Sequence, residues 1–286
     1  MPKICAKFGV EETDLSDIPT IIDYISRITK VPYMELYPLG STGKKDKSSD
    51  VDLAVDITKY SFEFIQNKMN KFFRGEYNKG NRIGSFAVPV MRRTNPYLSQ
   101  VDLMYVENIE WAQFHYYWDV KSEYKGAIRA ILLAACAGTV GVKGRDAIIY
   151  DDKNDLLVRV GWAITPSAGL KRVFQMRKRD KHGSKWLKTM EHVTPHQILE
   201  VFPTLEFDSN DALLNNPVDV VHEIFGSIIL PNQVHSVEEI INIIEEEFDE
   251  ERKQKTYQVA VKRCKPYVKK GIKIPPQIME LINETK

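Results

Sequence analysis

Residues 50–57 read DVDLAVDI, so acidic or small residues alternate with Val51, Leu53, Val55 and Ile57. A period of two belongs to a strand with one buried face, because successive side chains point to opposite sides of the pleat; a helix would repeat its apolar residues every three or four positions. This stretch therefore requires a sheet covered on one side. The other side carries Asp50, Asp52 and Asp56 at the edge of whatever covers it.

The surrounding segments supply the cover. DIPTIIDYISRITK (17–30) has apolar residues at helical spacing behind Ser16 as a cap, and KYSFEFIQNKMNKFFRG (59–75) returns to that spacing and predicts a helix stopping at Gly75. MELYPLG (34–40), RIGSFAVPV (82–90) and QVDLMYV (100–106) read as strands, the last two joined by RRTNPYLS. The order helix, strand, strand, helix, strand, strand predicts an α+β unit, a mixed sheet backed by helices.

Beyond about residue 110 the texture changes. IEWAQFHYYWDV (109–120) and EYKGAIRAILLAACAG (123–138) read as helices, and residues 155–179 as extended segments around the turn PSAG. WLKTMEHV, PHQILEVF, VDVVHEIFG and the long stretch SVEEIINIIEEEFDEERKQKTYQVAVKRC are mostly helical by pattern. The expected organisation is a catalytic domain over 1–110 and a mainly helical domain over 111–286, the latter containing a basic extended segment at about 155–188. A chain of 286 residues is long enough for both.

Three well-separated cysteines, Cys5, Cys136 and Cys264, argue against a disulfide framework and for a reducing compartment. The start, MPKICAKFGVEETD, lacks the apolar run of a signal peptide, and AIRAILLAACAGTVGV (127–142) is too short to span a bilayer and carries Arg129. The expectation is a soluble cytoplasmic protein with no membrane partner. Net charge is +1, so attraction for nucleic acid has to come from local patches.

The sequence LGSTGKKDKSSDVDLAVD (39–56) offers two chemistries. A phosphate-cradling P-loop needs a glycine five residues before Gly43 and a hydroxyl residue after Lys44. Those positions are Pro38 and Lys45, so the P-loop fails twice. The carboxylates fare better. Asp50 and Asp52, at i and i+2 on a strand, share a face, and the hard ion they would hold is Mg²⁺, which binds through one or two carboxylates and substrate phosphates. Paired ions of this kind activate an attacking hydroxyl and stabilise a leaving pyrophosphate. QVDLMYV adds a third acid, Asp102, alone among apolar neighbours on a strand expected in the same sheet; metal ligation would account for an acid there.

These pieces, Leu39-Gly40-Ser41, then Asp50-Val51-Asp52-Leu53, then Val101-Asp102-Leu103, resemble the signature of the DNA polymerase beta-like nucleotidyltransferases over roughly residues 15–110. The resemblance implies that Gly40 lets the backbone approach a triphosphate and that Ser41 donates to a phosphate oxygen. It implies that Asp50 and Asp52 bridge two Mg²⁺ ions, for which Mn²⁺ can substitute, while Asp102 completes the site that deprotonates the acceptor hydroxyl. Lys44 and Lys45 are candidates for screening the triphosphate, though a solvated loop is the plainer reading of each. Asp56 lies further along the strand and reads as structural.

Elsewhere the strongest feature is KRVFQMRKRDKHGSKWLK (171–188), where Lys171, Arg172, Arg177, Lys178, Arg179 and Lys181 are interleaved with Phe174 and, further on, Trp186. Cations track phosphates and aromatic faces stack bases, so this segment is a candidate acceptor groove, against the alternative of a solvated basic hairpin. KRCKPYVKKGIK (262–273) follows the acidic IEEEFDEE (244–251) and reads as surface. His192 and His196 read as a helix boundary, YDDKND (150–155) as a hairpin turn, and WAQFHYYW (111–118) as either core or a base-pocket wall.

The expected activity is metal-dependent transfer of a nucleoside monophosphate from a nucleoside triphosphate to an acceptor hydroxyl, with RNA 3′ ends favoured as acceptor and no template. The alternatives are nucleotidylation of a protein or small molecule, synthesis of cyclic or short oligonucleotides, and a nucleotide-binding protein without turnover.

Overall fold

The computed structural model describes residues 4–92, 95–140, 149–151, 156–178, 191–201, 203 and 213–284. Two units are distinguished, Met1–Gly126 with Pro166–Ala168, and Ala127–Thr165 with Gly169–Lys286.

In the first unit a 3-10 turn at Ile4–Phe8 leads through β1 (Val10–Glu11) and β2 (Thr13–Asp14) to α1 (Ile18–Thr29). There follow β3 (Tyr37–Pro38), β4 (Lys47–Ser48), β5 (Val51–Asp56), α2 (Phe62–Phe72), β6 (Arg74–Asn78), β7 (Ile83–Val90), β8 (Tyr97–Val106) and α3 (Ile109–His115). The main sheet has the order β3-β5-β8-β7-β6, with β1 beside the start of β8, and β2 and β4 form a separate small ribbon. β5 and β8 run parallel, whereas β3–β5, β8–β7 and β7–β6 are antiparallel, so the sheet is mixed as the pattern predicts.

One face of that sheet is the main core. Val51, Leu53 and Val55 of β5, Val101, Leu103 and Tyr105 of β8 and Phe86 and Val88 of β7 are wholly buried against Ile18, Ile21, Ile22 and Ile25 of α1 and Ile65 and Met69 of α2. Leu39, Ala54, Met104, Val106 and Ala112 form a smaller cluster on the opposite side, joined by the partly buried Ile109 and Tyr116. The acids of β5 and β8 share the strand parity of Ala54 and Met104, so they belong to this second face.

Several boundaries differ from the sequence reading for identifiable reasons. The N-cap of α1 is Asp17, not Ser16, and its carboxylate makes no capping bond. That carboxylate instead accepts from Arg92 and from the Tyr97 hydroxyl (2.6 Å), tying the helix start to the sheet. α2 is capped by Ser61 and ends at Phe72, where Phe73 turns extended. Gly75 lies inside β6, a polar strand the pattern misses; a Cβ there would come within 2.5 Å of the Phe86 ring and the Ser85 carbonyl. Glycine permits the close β6–β7 approach rather than stopping a helix. The strand expected at 34–40 shrinks to Tyr37–Pro38 after a 3-10 turn at Tyr33–Glu35, since proline cannot donate to a ladder. α3 stops at His115, short of residue 120.

The second unit is itself mixed. β9 (Ile149–Asp151), β10 (Leu156–Thr165), β11 (Gly169–Lys178), β12 (Glu191–His192) and β13 (Leu213–Leu214) form a five-stranded sheet built on the long β10–β11 hairpin. Among the described residues the unit has six helices, α4 (Gly126–Ala137), α5 (Pro195–Val201), α6 (Pro217–Phe225), α7 (Val237–Glu247), α8 (Glu250–Val268) and α9 (Pro276–Glu284). The stretch starting at Ser236 is two helices. Ser236 and Glu239 form a reciprocal capping box for α7, and Asp249 caps α8 by accepting from the Arg252 N–H (2.9 Å). Glu191–His192 pairs with β11 and is not helical; residues 186–190 lie outside the described set. Among the described residues no helix is long and apolar enough to cross a membrane.

Candidate metal centre

Three carboxylates meet on the second face of the first sheet. Asp52 and Asp102 are direct register partners on the parallel pair β5–β8, and Asp50 immediately precedes β5. One oxygen from each of Asp50, Asp52 and Asp102 lies within 4.8 Å of the others, and all three residues are half-buried. This group could hold a metal ion. The donor set is all-oxygen and anionic, matching a hard divalent cation.

The turn before β5 is folded onto this cluster. Leu39 N–H donates to the Asp52 carbonyl (2.9 Å), Thr42 N–H to the Leu39 carbonyl (3.0 Å), and the buried Thr42 hydroxyl accepts from Asp52 N–H (2.8 Å). Gly40, between them, has φ +59, the left-handed region that favours glycine. A Cβ at Gly40 would stand 3.2 Å from Asp52 Oδ2, so the bare backbone approaches the carboxylate itself.

Asp102 is held from its own strand. Gln100, two residues earlier on the same face, donates through Nε2 to both Asp102 oxygens (3.1 and 3.2 Å). Its Oε1 accepts from the Cys5 N–H at 3.2 Å. Ser85, the antiparallel partner of Asp102, is buried close enough to lower the pKa of that carboxyl, yet its hydroxyl falls short of a well-formed hydrogen bond. The Ser49 hydroxyl donates to Asp50 Oδ1 (3.0 Å).

Burial and mutual repulsion dominate the electrostatics. Burial raises the Asp52 carboxyl well above the usual carboxylate range, and the charges of Asp50 and Asp102 raise it further. Burial likewise brings Asp102 to about 6, with Asp50 adding to the rise and Ser85 and Gln100 opposing it. Tyr116 is pushed up by burial and then by Asp52 and Asp102. Carboxylates in this state take up protons unless a cation compensates them, and a bound divalent ion would release those protons.

The other sequence candidates fall in different places. Ser41 is half-buried in the turn, its carbonyl accepting from Lys44 N–H (3.1 Å). Lys44 Nζ donates to the Trp118 carbonyl (3.2 Å) and lies 4.5 Å from the centre of the Tyr117 ring, with its pKa lowered by burial. Lys45 Nζ lies over the Trp118 ring at 4.2 Å. Both lysines thus latch the turn to residues 117–118. Asp56 accepts from the N–H and hydroxyl of Thr58 (2.8 and 2.6 Å) and shapes the exit from β5, the structural role expected of it.

Of the basic segment, Lys171 is exposed on β11 and Arg172 lies 5.1 Å from the Trp162 ring centre. Arg177 and Lys178 are at the end of β11, and Arg179, Lys181 and Trp186 lie outside the described residues. His192 and His196 are both exposed, and His196 pairs with Glu200 at 3.2 Å. β9 and β10 pair antiparallel with Asp151 opposite Leu156; Tyr150 and Asp151 of YDDKND lie in β9, and its residues 152–155 are outside the described set.

The sequence pattern does not single out Thr42 or Gln100, and marks Tyr116 only as part of the run WAQFHYYW (111–118). Gln100 carried a legible signal, being a polar residue two positions before Asp102 on the same strand face. Thr42 and Tyr116 act through the fold of a turn and the end of a helix, which no periodicity encodes. No protein-family model matches the chain, and no curated protein matches it.

Proposed function

We propose that this protein is a metal-dependent nucleotidyltransferase that moves a nucleoside monophosphate from a nucleoside triphosphate to an acceptor hydroxyl. The observation that carries the reading is the convergence of Asp50, Asp52 and Asp102 within 4.8 Å, beside a glycine turn that brings bare backbone to Asp52. Three repelling, half-buried carboxylates are an expensive arrangement unless a cation compensates them. Mg²⁺ (two ions, with Mn²⁺ able to substitute) would supply activation of the attacking hydroxyl and neutralisation of the leaving pyrophosphate.

Asp50, just before β5, and Asp52 on that strand would hold the cations, and Asp102 would complete the set from β8. Gly40 leaves room for phosphate oxygens next to Asp52, and Ser41 presents a hydroxyl donor in the same turn. Lys44 and Lys45 keep two positive charges on that turn by their contacts with Trp118 and Tyr117. The acceptor hydroxyl gives up its proton at the carboxylate site completed by Asp102, its oxygen bonds to the α-phosphorus, the bond from that phosphorus to the bridging oxygen breaks, and pyrophosphate leaves.

The favoured acceptor is an RNA 3′ end without a template, supported by the basic run from Lys171 to Lys188. The near-neutral net charge of +1 and the engagement of Arg172 by Trp162 favour a second reading, in which a protein or a small molecule is the acceptor. The test is a labelling assay. Purified protein and Mg²⁺ are mixed with each of four α-labelled nucleoside triphosphates and, separately, with total RNA, single-stranded DNA and a protein extract. Label on RNA 3′ ends is the expected result. Label on protein, or in a new small product, retains the carboxylates and replaces the acceptor; no transfer to any acceptor overturns the enzyme.

A further inference from the structure

Asp102 is the one member of the carboxylate group held by a side chain that is itself anchored elsewhere. Gln100 is almost wholly buried, with 3% of its surface exposed, and bridges two partners. The Cys5 N–H can only donate, so it must meet the amide oxygen; the amide nitrogen is thereby turned toward Asp102. Reversing the amide would set its NH₂ against the Cys5 N–H and its oxygen against a carboxylate. The observed orientation is the only one that satisfies all three groups.

From Nε2 the contact reaches both Asp102 oxygens at nearly equal distance. Each carboxylate oxygen has two lone pairs, so engaging one on each leaves acceptor capacity for a cation while fixing the rotation of the group. Cys5 is fully buried in the 3-10 turn Ile4–Phe8, and Lys7 of that turn pairs at the surface with Glu76 of β6.

We infer that Gln100, oriented by the Cys5 backbone N–H, is a positioning residue that holds Asp102 in its metal-ligating orientation, and that the turn Ile4–Phe8 is therefore part of the support of the site. This rests on the metal-centre reading above. It concerns an outer contact of the kind that orients a ligand, whose removal typically weakens metal affinity by about ten- to a hundred-fold.

The test is Mn²⁺ affinity, measured by electron paramagnetic resonance on the full chain, for wild type, Gln100→Met and Gln100→Asn. Methionine keeps length and bulk without a donor; asparagine keeps the amide but is one methylene too short to bridge Cys5 and Asp102. Thermal unfolding without metal is measured in parallel, so that affinities are compared below the unfolding range of each variant. The expected result is a loss of about ten-fold or more in Mn²⁺ affinity for both variants. Unchanged affinity in either folded variant, even with a lowered melting temperature, overturns the positioning role and leaves the nucleotidyltransferase reading standing. Failure of wild type to bind Mn²⁺ overturns the metal centre itself.

Discussion

The two faces of the first sheet are made by the same strands yet obey opposite rules. On one, Leu53 and Leu103 sit side by side in the parallel register, fully buried beneath α1 and α2, and each gains by being where it is. One residue away on the other face, Asp52 and Asp102 sit side by side, both raised in pKa by burial, and the charge of Asp102 raises Asp52 further. The first face holds the sheet together. The second is tolerated because the first is strong, which is the relation expected between a scaffold and a site that works against stability.

Substitutions on β5 should separate the two most sharply. Asp52→Asn should lower the proposed nucleotidyl transfer by about a thousand-fold or more, roughly 4 kcal/mol of barrier, while leaving the metal-free protein at least as stable as wild type, because a neutral amide replaces a carboxyl whose ionised form is disfavoured by burial and by its neighbours. Retained turnover, measured as pyrophosphate release, would remove Asp52 from the site. Leu53→Ala should do the reverse, costing about 2–5 kcal/mol of stability in a denaturant titration and leaving the metal affinity of the folded fraction unchanged.

A subtler contrast lies within the turn. Gly40 and Gly43 both have positive φ, but only at Gly40 would a Cβ meet the site, since nothing lies within 4 Å of one at Gly43. Alanine at either position should cost about 1 kcal/mol for the left-handed backbone. Gly40→Ala alone should also weaken Mn²⁺ binding, by several-fold on the scale of a contact adjusted by a few tenths of an ångström. Equal affinity in the two variants would dissolve the distinction.

The smallest effect is one of pH. A carboxyl whose folded pKa is raised to about 6 binds its proton more tightly folded than unfolded, so it favours folding at low pH and that contribution is lost as pH rises through about 6. The metal-free protein should therefore melt a few degrees lower at pH 7.5 than at pH 5.5. Added Mg²⁺ should restore more at the higher pH, where the ligands are ionised. A Mg²⁺ increment that is larger at pH 5.5 would contradict the assigned electrostatics.

How far these features can be read from sequence depends on whether they are periodic. The alternation of DVDLAVDI carried the strand, its buried face and the placement of Asp50 and Asp52. QVDLMYV carried Asp102 on a strand of the same sheet. What could not be read was set by non-local geometry. β6 is polar, and its glycine, which by sequence resembles a helix stop, is explained by the Phe86 ring and the Ser85 carbonyl packed against it. Ser16 does not cap α1 because Leu15–Asp17 form a 3-10 turn that runs into the helix, and the Asp17 carboxylate makes no capping bond because Arg92 and Tyr97, far along the chain, claim it. The second unit reads as mainly helical beyond the extended segments at 155–179 because β9, β12 and β13 are only 3, 2 and 2 residues long and leave no alternation to detect.

The parallel pairing of β5 with β8 also sets a schedule. Asp50 and Asp52 leave the ribosome together, but the partner strand with Asp102 follows 50 residues later by the numbering. At about 5–20 residues per second that interval is roughly 3–10 s. During it the nascent chain exposes two acids with no third, and parallel neighbours cannot pair through a simple hairpin. A growing chain thus lacks the complete carboxylate set until β8 docks, so the onset of Mn²⁺ binding at the proposed site would serve as a kinetic reporter that the central pair of the sheet has closed.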